Sequence, residues 1–150
     1  MFNRLHIAIV GYGTGGQAAA VALSADGHRV EVFEQAPQPR PIGAGFLLQP
    51  TGMQALWRLG LLEGALRHGM RIGRLFGESQ AGRAVMDMRY HDLEARLFGL
   101  GLQRGALFAL LDAAWTEGRT LHVGQRIAEL DADRGLLRDR LKASLDVLKG

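Results

Sequence analysis

The sequence predicts an α/β fold built on a parallel sheet, and three observations predict it. The short apolar run Leu5–Val10 leads into a glycine-rich turn and then into the Ala-rich stretch Gln17–Ala25. A second run rich in Val and aromatic residues, Arg29–Phe33, follows within the first thirty-odd positions. Glu34 stands directly behind it. Strand, helix and strand over that length make a βαβ unit, whose crossover is right-handed.

Each element has a local reason. Leu5–Val10 reads as a strand, covered on both faces if it is central, because it is apolar without alternation. Gln17–Ala25 has high helix propensity, and Gly27 stands where a helix C-cap glycine belongs. Ala36–Pro41 holds three of the four prolines and reads as loop, continued by Gly43–Gly45. Phe46–Gln49 reads as a short strand, and Pro50 opens a helix through Leu59. Leu61–His68 reads as a second short helix ending near Gly69. Arg71–Gly77 and Arg83–Arg89 read as two strands of a hairpin around the turn Ser79–Gly82. Gln103–Thr116 is helical, with Leu107, Leu110 and Leu111 on one face. Thr120–Val123 and Arg126–Leu130 add strands.

Composition narrows the function classes. The 150 residues fit one domain, and 47% of them are apolar, enough for a real core. There is no cysteine, so disulfides, thiolate metal sites and a cysteine nucleophile are excluded. That usage fits a reducing, cytoplasmic setting. No run approaches the roughly 18 apolar residues of a membrane span. The early apolar runs do not read as a signal peptide, because Gly11–Gln17 interrupts them. The net charge is +3 and is spread along the chain, which reads as a solvated surface and not as a nucleic-acid interface. His6, His28, His68, His91 and His122 lack metal-ligand spacing and read as structural or surface residues. No G-x-S-x-G hydrolase elbow is present.

The chemistry-bearing motif is Gly11-Tyr12-Gly13-Thr14-Gly15-Gly16, between strand and helix. In such a turn the first glycine permits the tight bend, the second lets the backbone approach a pyrophosphate, and the third lets helix and strand pack closely. The helix start offers free N–H groups and partial positive charge to phosphates. Glu34, 21 residues after Gly13, suits a carboxylate that holds a ribose diol and disfavours a 2′-phosphate. These residues predict a dinucleotide, FAD or NAD(H), at Gly11, Gly13, Gly15, Gly16 and Glu34.

A family resemblance separates the two. Arg40-Pro41-Ile42-Gly43-Ala44-Gly45-Phe46-Leu47-Leu48-Gln49-Pro50 resembles the stretch after the second strand in single-component FAD-dependent aromatic hydroxylases, the para-hydroxybenzoate and salicylate hydroxylase type. Ile9-Val10-Gly11 and Val32-Phe33-Glu34-Gln35-Ala36-Pro37 are similar to that family as well, and the resemblance runs from about Leu5 to about Arg138. It implies a Rossmann-like FAD-binding βαβ with a parallel sheet, plus a β-hairpin from the start of a substrate domain. It further implies that Gln35 belongs to the cofactor-binding segment, and that Arg40 and the backbone around Leu47 line the cofactor path. Arg104, in Gln103-Arg104-Gly105-Ala106-Leu107, would reach the FAD, and Ile127 would lend its backbone to the adenine. Family chemistry would then be hydroxylation of a small aromatic substrate with FAD, dioxygen and NAD(P)H as donor. No catalytic residue is assigned.

Two family landmarks are not found. An Asp-Gly motif is expected after this region, but the only Asp-Gly is Asp26-Gly27, and there is no Gly-Asp. Residues 1–150 therefore read as an N-terminal fragment of the FAD-binding domain, with about 70–100 as a hairpin region of an incomplete substrate domain. The segment 141–150 reads as an atypical tail: it carries the only two lysines, Lys142 and Lys149, and Leu141–Leu148 reads as a small amphipathic helix. The expectation is a truncated monooxygenase, weakly active or inactive alone, whose exposed hairpin face favours homo-oligomers. An NAD-dependent dehydrogenase domain and a non-catalytic nucleotide-binding module are the alternatives.

Overall fold

The computed structural model describes residues 4–131, 136–139 and 145–146. It divides into two compact units, Met1–Pro41 with Phe108–Gly150, and Ile42–Leu107.

The first unit is built on β1 (His6–Val10), α1 (Thr14–Ala25) and β2 (Arg29–Glu34). β2 lies in the middle of a three-stranded sheet, pairing in parallel with β1 and with β8 (Thr120–Val123). Its central position explains its sequence: Val30, Val32 and Phe33 are all buried, as expected for a strand covered on both faces. α1 buries Gln17, Ala20 and Val21 and ends where Gly27 takes a positive φ of 85°. The residues of α4 (Arg104–Ala114) from Phe108 onward belong to this unit. There Leu111 and the following Trp115 are fully buried, and the Trp115 indole N–H donates to Ser24 Oγ at 3.0 Å. Each such large buried side chain contributes about 1.5–3 kcal/mol. β9 (Ile127–Asp131), β10 (Leu136–Asp139) and β11 (Leu145–Asp146) form a small antiparallel sheet in the order β11-β10-β9.

One polar cluster lies inside the parallel sheet. Glu31 of β2 is buried and accepts from His6 of β1 at 2.8 Å, from His122 of β8 at 2.9 Å and from Arg29 at 3.0 Å. Burial works to raise its pKa. The hydrogen bonds from His122 and His6, with the charges of His6 and Arg29, outweigh this and hold it below its ordinary value. His122 also stacks on Phe33, with ring centroids 4.6 Å apart.

The second unit holds an antiparallel sheet β3-β7-β4, formed by β3 (Gly45–Leu48), β4 (Met70–Ile72) and β7 (Gly99–Gln103). It also holds the helices α2 (Pro50–Arg58) and α3 (Leu62–His68), and the hairpin of β5 (Arg74–Glu78) and β6 (Ala84–Arg89). Met53, Leu56, Ala65, Tyr90, Leu100 and Leu102 form its core. The Tyr90 hydroxyl donates to Gln49 Oε1 at 2.8 Å. α4 (Arg104–Ala114) starts in this unit.

Three expectations are corrected. Arg71–Gly77 is not one strand: the chain breaks at Gly73, so that β4 pairs with β7 while β5 pairs with β6. Gln103 is not helical but ends the strand Gly99–Gln103, whose glycines argue against a strand because glycine is depleted there; Leu100 and Leu102 alternate into the core. In Leu141–Leu148, Leu145 and Asp146 are not helical but pair with Leu137 and Leu136. Isolated helices of that length are marginal, and cross-strand pairing satisfies the backbone instead. The other residues of that stretch lie outside the described ones.

Candidate functional site

Within the glycine turn, Gly11 and Gly16 are required by the fold, whereas Gly13 and Gly15 are not. Gly11 has φ 100°, a left-handed value that penalises any side chain, and its N–H donates to the Phe33 carbonyl at 2.8 Å, stitching the turn to the end of β2. A Cβ on Gly16 would overlap the Gly11 carbonyl oxygen, so the start of α1 can approach β1 only without one. Gly13 is different. Its φ of −77° and ψ of −176° are open to any residue, and a Cβ there would meet no protein atom within 4 Å. Neither backbone strain nor packing accounts for this glycine.

The surroundings suit an anion. Gly13 is the N-cap of α1, no side chain caps the helix, and its first turn carries no acidic residue. The first backbone N–H groups of a helix have no partner within it, and they carry partial positive charge.

Glu34, the last residue of β2, is placed by this same turn. Its Oε2 accepts from the Tyr12 N–H at 2.8 Å and its Oε1 from the Ala36 N–H at 2.7 Å. Each carboxylate oxygen keeps a further lone pair for a hydroxyl donor. The Gln125 N–H donates to the Glu34 carbonyl at 2.9 Å, fixing the strand end. The carboxylate at the end of β2 and the glycine turn are thus joined through the Tyr12 main-chain N–H.

The remaining expected residues are placed as follows. In the first unit, Gln35 and Arg40 are exposed in the segment after β2, and Ile127 opens β9 opposite Asp139. In the second unit, Leu47 of β3 faces Gly101 of β7. Arg104 opens α4, its N–H donates to the Ala44 carbonyl at 3.0 Å, and its guanidinium lies 5.6 Å from the Phe46 ring centre. A Cβ on Gly43 would sit 3.1 Å from Arg104 Nε, so the Gly43–Gly45 loop and this arginine are closely fitted. An open apolar groove of about 420 Å³, lined by Pro50, Met53, Trp57, Leu62 and Phe98 among others, contains none of the expected site residues.

Sequence reasoning missed Tyr12. Its side chain is buried, its hydroxyl donates to Asp112 Oδ1 at 2.7 Å, and its ring meets Phe108 edge-on and Trp115 at an angle, both at 5.9 Å. Arg119 in turn donates to Asp112 Oδ1 at 2.8 Å. The available signal was a large aromatic residue set between two glycines.

Searched against known families, the chain matches no family model. It is 30% identical over 142 residues to 6-hydroxynicotinate 3-monooxygenase of Bordetella bronchiseptica, covering 92% of this chain and 37% of that protein. It is also 30% identical to kynurenine 3-monooxygenase of Salinispora arenicola, over 91% of this chain and 32% of the relative. Among solved structures, the tetrameric form of 2-methyl-3-hydroxypyridine-5-carboxylic acid oxygenase superposes with a TM-score of 0.81 at 21% identity, over 97% of this chain and 38% of that one. PqsL of Pseudomonas aeruginosa gives a TM-score of 0.77 at 27% identity, over 95% and 40%. In sequence and in fold the chain is similar to FAD-dependent aromatic monooxygenases, and it spans about a third of the length of the curated relatives it matches.

Proposed function

We propose that this chain is the FAD-binding portion of a flavoprotein monooxygenase acting on a small aromatic substrate, with NAD(P)H as electron donor and a cytoplasmic location. The observation that carries the reading is Gly13, an open glycine that neither conformation nor packing demands, beside a carboxylate already oriented by the same turn.

In this reading the backbone around Gly11, Gly13, Gly15 and Gly16 receives the pyrophosphate, and Glu34 accepts hydrogen bonds from the adenosine ribose hydroxyls. Ile127 and Gln35 flank the adenosine end. Arg40, Leu47 and Arg104 are assigned to the cofactor as well, the two arginines as cationic partners of its phosphate or flavin oxygens. When bound, FAD supplies the redox chemistry with donor and dioxygen; what these residues supply is binding and orientation. A free 2′-hydroxyl suits Glu34, and a 2′-phosphate would meet like charge. Residues 70–100 would belong to the substrate domain, and association of copies would cover the exposed hairpin.

The test is titration of the purified chain with FAD, followed by flavin fluorescence. The parent should bind saturably. Gly13→Val, which places a branched side chain where the phosphates would lie, should weaken binding by at least about tenfold, the scale of one lost charge-assisted hydrogen bond, while circular dichroism stays unchanged. Equal binding by parent and variant would remove the assignment of this turn.

A further inference from the structure

We propose that Tyr12 is a positioning residue for the dinucleotide: anchored by its side chain, it holds the phosphate-binding turn and the ribose-binding carboxylate in one fixed geometry. The inference rests on the function proposed above and extends it to a residue whose side chain reaches no ligand.

Three contacts carry it. The Tyr12 main-chain N–H donates to Glu34 Oε2 at 2.8 Å, so the position of this one peptide sets the direction of the carboxylate. The Tyr12 side chain points the other way, into the unit, at 2% exposure. There its hydroxyl reaches Asp112 on α4 at 2.7 Å, and its ring lies between Phe108, Trp115 and the Arg119 guanidinium. Asp112 is itself fixed, since Arg119 donates to its Oδ1 at 2.8 Å and to its main-chain oxygen at 3.2 Å. A turn of glycines is conformationally permissive. Tyr12 supplies the one large side chain within it, and that side chain is tied to a helix.

The hydroxyl is a durable donor. Burial first, and then the bond to the Asp112 carboxylate, push its pKa up to about 12, so it stays protonated over the working range of the protein. Asp112 stays charged: burial works against this, but the bonds from Arg119 and Tyr12 hold its pKa below the ordinary carboxylate value. The phenol therefore donates to a permanent anion, the stronger kind of hydrogen bond.

A residue that merely fills the core and one that sets the turn respond differently to ligand. Loss of packing lowers stability and weakens every nucleotide alike. Loss of positioning reduces the advantage of ligands that carry the ribose diol. Calorimetric Kd values for ADP and for 2′,3′-dideoxy-ADP measure this on the whole chain, with melting temperature recorded alongside. Tyr12→Phe should weaken ADP about three- to tenfold, the scale of one lost hydrogen bond, and should shrink the ADP preference over the dideoxy analogue. Asp112→Ala, which leaves the turn sequence intact, should do the same. The double variant should be no worse than either single one, and Asp112→Asn, which keeps an acceptor oxygen but not the charge, should restore part of the loss. If both nucleotides weaken in equal proportion, or if folded Tyr12→Phe and Asp112→Ala bind ADP within twofold of the parent, Tyr12 only packs and the proposal fails. If the parent binds no ADP at all, the dinucleotide reading fails first and takes this inference with it.

Discussion

The parallel sheet of the first unit and the β5–β6 hairpin of the second use similar residues and bury them to opposite degrees. Val32 of β2 has no exposed surface, whereas Val85 of β6 is 64% exposed and Phe76 of β5 is 50% exposed. β2 has a neighbour strand on each side and buried residues on both faces. The hairpin has two strands only, held by the Arg74–Asp87 ion pair at 2.5 Å and by Arg74 over the Phe76 ring. Exposed ion pairs are worth little, and a two-stranded sheet by itself is marginal. Strand propensity decides extended backbone in both places. Layers decide burial, and β2, buried on both faces, carries Glu34 at its end.

Substitutions can break or sharpen this contrast. The largest effect belongs to Gly16→Val, whose side chain would drive α1 off the Gly11 carbonyl. A loss of about 3 kcal/mol or more in a urea titration is expected, the upper range of overpacking costs. Val32→Ala should follow at about 2 kcal/mol by the same measurement, from lost burial in a filled site.

Glu31→Gln should cost about 1–3 kcal/mol near neutral pH, because the donors His6, His122 and Arg29 lose a charged acceptor. Its pH dependence has a definite sign. The folded-state pKa of Glu31 lies below the ordinary 4.5, so its contribution is complete above 4.5 and is lost as pH falls through the lower folded value. The urea midpoint of the parent should therefore fall more steeply than that of the Gln variant as pH drops below 4.5. Val85→Ala should be the smallest, within about 0.5 kcal/mol, as for other exposed substitutions. A large loss at Val85 would mean that the hairpin is covered in solution, for example by a second copy.

Much of this was legible in the sequence, because its signals are local. The βαβ unit, the separate tasks of Gly11 and Gly16, and the placing of Glu34 at a strand end all follow from short-range pattern. What escaped depends on distant residues. Tyr12 meets Asp112 across a hundred positions, and no periodicity announces that bond. The Glu31 cluster joins three strands, which only the sheet order brings together. β7 escaped because its glycines argue against a strand until its neighbours are known. The break at Gly73 escaped because Arg71–Gly77 reads continuously, although its halves serve different sheets.

The proposed dinucleotide site joins the glycine turn, which would hold the phosphates, to Glu34, which would hold the ribose diol. Glu34→Ala tests it most directly, with ADP and 2′,3′-dideoxy-ADP titrated calorimetrically into parent and variant. The variant should lose about 1–3 kcal/mol on ADP, as for charge-assisted hydrogen bonds to one carboxylate, and should bind the dideoxy analogue nearly as the parent does. Equal losses on both nucleotides would contradict the claim, because Glu34 would then serve the turn and not the ribose.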